Sequence, residues 1–276
     1  MKLEIPSDLS ALKSNLNQDH FWFAINALST GGATPAPVSG LKVKMGGMAF
    51  EVRIDDQAVL FHFTDWRNLP IIGEVSSYAA CFKFHYDPSI LYGNGWHPFS
   101  PISFLDWREY RRLRSLVRYN ASGRFIGNRQ IARGKALHRR TAVREALLNR
   151  YGKAVLSEEI EQRQFWQEIN DLLVSVCVPG ARNDILDRGQ IQYMALGGCT
   201  ISPKLAIDLP WAGILEPGRH YLECAADYHD LIPLVEWCEN HREECAAIGA
   251  NAKNLFEKTL TGDRLRKWVL EVIHRG

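Results

Sequence analysis

From about residue 116 to its end the chain alternates strand-like and helix-like segments, and no other feature restricts the possible fold as strongly. The short apolar strand in GRFIGNR precedes the helical pattern KALHRRTAVREALLNRYG, where Ala136, Leu137, Val143, Ala146, Leu147 and Tyr151 lie near helical spacing and Gly152 supplies the stop. EEIEQRQFWQEIND reads as a further helix. LLVSVCVPG is an uninterrupted apolar run of strand length, the pattern of a strand buried on both faces. The helix ILDRGQIQYMALGG, the strand CTISP, a long segment starting at HYLEC and a last helix, DRLRKWVLEVI, complete the order. Such alternation implies right-handed crossovers and a parallel, doubly wound sheet.

The first hundred residues read differently. Residues 7 to 28 have helical spacing, with Ser7 or Asp8 as a cap, and TGGATPAPVSG breaks the pattern. KVKMGGMAFEVRID alternates on both sides of Gly46-Gly47, as a hairpin does. AVLFHFTDW reads as a buried strand ending in Asp65, YAACFKFHYD as another ending in Asp87, and DWREYRRLRSLV as an exposed helix. The expected organisation is an α/β protein in two parts: a compact unit over residues 1–112 and a ligand-binding unit over 113–276.

With 276 residues and 46% apolar content the chain can fill one large core or two small ones. A net charge of +2 argues against a dedicated nucleic-acid module, although arginines are concentrated between 107 and 150. MKLEIPSDLSALK has neither the basic start nor the apolar centre of a signal peptide, and no run approaches the ~18 apolar residues of a membrane span, so a soluble, cytoplasmic protein is expected. Six cysteines without CxxC spacing read as buried thiols, and no metal site is expected.

In an open α/β sheet, ligands bind beyond the carboxyl ends of the strands, where loops and helix N-termini present unpaired N–H groups. LLVSVCV delivers Pro179 and Gly180 to that edge. On one reading Arg182, Asn183 and Asp184 lie at this crevice, where Arg182 and Arg188 meet phosphate while Asp184, Asp187 or Gln190 accept sugar hydroxyls. On the other, these are cap and solvated helix residues.

The run PGARNDILDRGQIQYMALGGCTISPKL, followed by LEPGRHYLECAADYHDLIPLVEWCENHREECAAIGANAKNLFEKTLT, resembles the C-terminal half of glycosyltransferases of the GT-B fold. It is most similar to the CAP10-like, lipopolysaccharide-modifying group, over roughly residues 120 to 260. The resemblance implies two Rossmann-like domains, the first unusually compact, and a nucleotide-sugar donor held by the strand-loop-helix element after LLVSVCV. Where many such enzymes hold the ribose with a Glu, this chain carries Gln190 and Gln192. The co-substrate implied is a nucleotide-diphosphate sugar, with no further cofactor.

The leaving diphosphate gains negative charge, and without a metal, cations and helix N-termini must meet it. Arg129, Arg133 and Lys135, with Asn128 before them, lie at the expected helix start and form the candidate clamp; Arg139, Arg140 and Arg144 read as a solvated helix face. Deprotonating an acceptor requires a carboxylate or His. Asp65 comes first, followed by Trp66 as a ring platform; His85 and Asp87 come next. Asp65 equally suits a turn, and His62 a hydrogen-bonded core imidazole. His220 and Tyr221 either touch donor or pack. Asp227 and Asp230 read as cap partners, and Trp237 and Trp268 as packing.

The expected activity is transfer from a UDP-sugar to a glycan, lipid-linked, protein or modified-nucleic-acid acceptor. The alternative is a non-catalytic module that holds nucleic acid or another polyanion on the basic surface between residues 107 and 150, helped by Trp107, Tyr110 and Tyr119 interleaved with Arg108, Arg111, Arg112, Arg114 and Arg118 for stacking.

Overall fold

A computed structural model describes residues 1–65, 67 and 75–275; Trp66 lies outside the described residues. The chain divides into two compact units, residues 1–107, 207–213 and 259–276 in the first, and 108–206 and 214–258 in the second.

Unit 1 begins with β1 (Leu3–Pro6), and helix α1 spans Asn15–Leu28. The helix starts later than its spacing predicts, because Ser14 is the cap and accepts from the Asn17 N–H at 3.1 Å. Asp8 instead closes a local turn with the Ser10 N–H at 2.9 Å, and Leu3–Pro6 are held in a sheet. There follow β2 (Pro35–Val38), β3 (Val43–Lys44), β4 (Ala49–Ile54), β5 (Gln57–His62), β6 (Ala80–Lys83) and β7 (Trp96–Pro98), in the order β2-β1-β4-β5-β6-β7 with β3 on β4. The β3–β4 hairpin turns through Gly46 and Gly47, both at positive φ, and a side chain at Gly47 would meet the Ala11 carbonyl at 2.5 Å.

β1 pairs with β4 and β4 with β5 antiparallel, while β5, β6 and β7 run parallel. This sheet is therefore mixed, whereas a Rossmann-like domain is built on a mostly parallel one. Phe50, Phe61 and Phe82 are successive register partners across β4, β5 and β6, with ring centroids 5.3 Å apart at each step. Phe21 of α1 closes on Phe50 at 4.8 Å, so one aromatic ladder joins helix to sheet.

Unit 2 contains helix α2 (Trp107–Leu116), β8 (Phe125–Gly127), α3 (Leu137–Tyr151), β9 (Val155–Leu156), α4 (Gln162–Glu168), β10 (Leu172–Val176), α5 (Arg188–Ala195) and β11 (Thr200–Pro203). After β12 (Asp208–Leu209), which belongs to unit 1, come β13 (Gly213–Ile214), β14 (Leu222–Cys224), α6 (Leu231–Asn240) and α7 (Arg242–Thr259). All pairs in its five-stranded sheet are parallel, in the order β9-β8-β10-β11-β14. Numbered by appearance, that order is 2-1-3-4-5. It reverses between β8 and β10, and right-handed crossovers place α3 on one face and α4 and α5 on the other.

β10 is buried along its whole length, as its unbroken apolar run implies. Val143 and Leu147 of α3, Val235 and Cys238 of α6, and Cys245 and Ile248 of α7 cover one face of the sheet in a single cluster. The last helix, α8 (Gly262–Arg275), belongs to unit 1 and packs on α1. No helix among the described residues is long and apolar enough to cross a membrane.

Candidate functional site

The reversal between β8 and β10 puts the loops that leave these strands side by side at the carboxyl edge of the unit 2 sheet. Asn128 ties them, its buried amide donating to the Val176 carbonyl at 3.1 Å. A second tie runs through Gln130, which accepts from the Val178 N–H and donates to Asp187. Asp187 caps α5 by accepting from the Gln190 N–H at 3.0 Å and pairs with Arg140 at 3.1 Å. Burial pushes the Asp187 carboxyl above its ordinary range, and Arg140 pulls it back.

Three arginines of α3 face these loops instead of forming the solvated face expected from sequence. Arg139 donates to the carbonyls of Pro179 and Gly180, Arg140 to those of Val178 and Ile131, and Arg144 to that of Gln130. Spacing alone could not assign this face, because the accepting carbonyls lie up to 41 residues away. Arg129 differs in the other direction. Its guanidinium makes a two-point pair with Glu168 and donates to the Glu158 carbonyl, and its side chain is only 9% exposed. Among the clamp candidates, Arg133 and Lys135 are the cations open to solvent. They flank Gly134, whose φ of 57° lets the chain turn into the helix, and neither Arg133 nor Ala136 caps it with a side chain.

A pocket of about 360 Å³ opens beside this rim, between α3 and the loop after β14. Ala142, Val143, Ala146 and Leu231 give it apolar walls, and His138, Arg139, Asp227 and Tyr228 are its polar lining. The β14 wall is fixed. Tyr228 sits at a φ of 64°, a conformation costing about 1 kcal/mol for a side-chain-bearing residue, and donates to Asn183 at 2.7 Å. Asn183 in turn donates to the Ala226 carbonyl at 2.9 Å, joining the loops after β10 and β14.

Other residues of the opening motif have local partners. Arg182 makes a two-point pair with Asp184 at 2.8 and 2.9 Å, and Arg188 is half-buried at the start of α5. Gln192 is 3% exposed and Gln190 fully buried, the latter donating to Ser202 at 2.8 Å, so burial withdraws both amides from a ribose. Asp230 accepts from the Ala225 N–H and closes the loop instead of capping α6, while Asp227 pairs with His229. His220 accepts from the Glu216 N–H and Tyr221 from the Leu205 N–H, both buried in packing positions.

In unit 1 the candidate acids lie where the parallel strands β5 and β6 end. Asp65 is half-buried. His85 has a φ of 50°, which turns the chain out of the β6 direction. Asp87 is 1% exposed; its carboxylate accepts from the Ser89 N–H and hydroxyl and lies 3.4 Å from Arg67. That is a turn-closing duty. His62 is fully buried, and desolvation followed by the nearby Lys83 ammonium pulls its imidazole down to about 3, which fits the core role expected from sequence.

No family model, curated protein or solved structure matches the chain. Sequence reasoning named residues on both loops of the reversal and missed Gln130, His138, Ala142 and Tyr228. The only signal for these was their position one turn into a helix or loop that follows a parallel strand. Of the aromatics expected to interleave with the arginines, Trp107 and Tyr110 are buried, at 7% and 2% exposure, and Tyr119 is half-buried with its hydroxyl donating to the Leu173 carbonyl.

Proposed function

We propose that the protein is a GT-B-like glycosyltransferase that takes a nucleotide-diphosphate sugar, a UDP-sugar, as donor. The observation that carries the reading is the rim of unit 2. There the strand order reverses, solvent-facing Arg133 and Lys135 flank an α3 N-terminus without a side-chain cap, and a ring-sized pocket opens beside it. A diphosphate suits the cations and the positive end of the helix dipole. A nucleoside suits the pocket, whose Arg139 Nε is buried without a hydrogen-bond partner among the described residues.

In this reading the acceptor oxygen bonds the anomeric carbon as its hydroxyl proton passes to a general base, for which Asp65 is the candidate expected from sequence. The bond from that carbon to the diphosphate breaks, and its electron pair leaves with the nucleotide, where Arg133, Lys135 and the α3 N-terminus offset the charge. Arg129 and Asp87, engaged by Glu168 and by Ser89 and Arg67, hold the scaffold. The polyanion-module alternative keeps the exposed α2 arginines, but two of its three stacking aromatics, Trp107 and Tyr110, are buried.

The test is release of nucleoside diphosphate from a panel of UDP-, GDP-, ADP- and dTDP-sugars with a mixed acceptor library. One donor class should turn over, and Asp65→Asn should abolish turnover while donor binding persists. Full activity in Asp65→Asn would remove Asp65 from the chemistry, and turnover of no donor would remove the transferase reading.

A further inference from the structure

Lys83 is the last residue of β6 and has no exposed surface. A buried ammonium is costly unless every N–H finds an acceptor, and an apolar side chain of the same volume would fill the space without that cost. Its donors reach two backbone carbonyls, that of Thr64 at 2.7 Å and that of Phe84 at 3.3 Å. These oxygens belong to the peptide units whose N–H groups are those of Asp65 and His85.

The register explains why a side chain is needed. β5 and β6 are parallel, and the Phe84 N–H donates to the His62 carbonyl at 2.9 Å. Two residues on, a continued ladder would bring the Tyr86 N–H to the Thr64 carbonyl. His85, at a φ of 50°, turns the chain away first, and the Tyr86 backbone instead pairs with Asp208. Lys83 Nζ takes the place of the missing donor. The strand ends can thus diverge, as a site requires, while the divergence stays fixed.

We propose that Lys83 is a positioning residue: its ammonium clamps the peptide units 64–65 and 84–85 and so sets where the Asp65 carboxylate and the His85 imidazole point. The inference rests on the glycosyl-transfer reading of Asp65. A clamp of this kind affects turnover more than donor affinity, because misplacing a reacting group by about 1 Å costs up to roughly a hundredfold in rate.

The experiment compares wild type with Lys83→Met by donor kinetics, thermal melting and backbone amide NMR. Expected in Lys83→Met are a fall in kcat of about tenfold or more with donor KM unchanged, an undiminished melting temperature, and displaced amide signals of both Asp65 and His85. Unmoved amide signals, or a kcat loss that only parallels a loss of melting temperature, overturn the clamp. Should Lys83→Met not fold, the wild-type ammonium resonance decides: contacts from its protons to the Asp65 and His85 amides support the clamp, and their absence overturns it. A wild type that transfers no sugar defeats the transfer reading alone, since the NMR comparison still judges the clamp.

Discussion

Arg140 and Asp187 form an ion pair at 3.1 Å that joins the helix after β8 to the first turn of the helix after β10. Both side chains are largely covered, with 14% and 15% exposure, so the pair is a fixed part of the rim. The same Arg140 holds the carbonyls of Val178 and Ile131, and the same Asp187 caps α5. The unit 2 rim is thus built before any ligand arrives, which reduces the ordering cost of binding.

Removing one member of this pair leaves the other charged and covered without its counter-ion. Arg140→Ala should lower unfolding free energy by about 3 kcal/mol. Asp187→Asn made in the Arg140→Ala background should cost less than in wild type, because the stranded partner is already gone. Urea unfolding of the four proteins gives the cycle; additive losses would show that the pair is not coupled.

Gly249 of α7 lies against the turn that precedes β11, where a Cβ would sit 1.9 Å from the Gly197 carbonyl oxygen. Gly249→Ala should therefore destabilise unit 2 by about 3 kcal/mol despite the higher helix propensity of alanine. A melting temperature equal to or above wild type would mean that α7 approaches the turn less closely.

The unit 1 core should make stability depend on pH in the mildly acidic range. The His62 imidazole is held down to about 3, whereas the unfolded chain takes up that proton near 6.5. Stability from this group is complete above pH 6.5 and falls as pH drops from there toward 3, by about 2 kcal/mol on reaching pH 5. Burial shifts His97 and His220 in the same direction. Chemical denaturation at pH 7 and pH 5 should show a smaller loss in His62→Phe than in wild type, and equal losses would contradict the assignment.

Much of unit 2 was legible in the sequence, because a strand buried on both faces has to be an unbroken apolar run such as LLVSV, and a covering helix has to repeat every three or four residues. The mixed sheet of unit 1 was not legible. LEIP is four residues long, ends in proline and becomes a strand only by pairing on both sides, with β2 parallel and β4 antiparallel. The site was legible in outline and not in its pairings. Arg129 and Arg140 look alike in sequence, yet the first meets Glu168 and the second Asp187, across 39 and 47 residues. Only the strand order brings those partners within reach.

The pocket beside the rim can be closed without disturbing the core, since Ala142 is exposed on α3. Ala142→Trp should weaken UDP binding at least tenfold, to about the affinity of pyrophosphate, and leave pyrophosphate binding unchanged. UDP bound equally by both proteins would place the nucleoside elsewhere.

The most direct measurement is calorimetric titration of UDP, with EDTA present, into wild type and into the double variant Arg133→Ala/Lys135→Ala. The account predicts saturable binding to wild type and an affinity about tenfold or more lower in the variant with an unchanged melting temperature. Absence of binding to wild type, or equal affinity in both proteins, would contradict it.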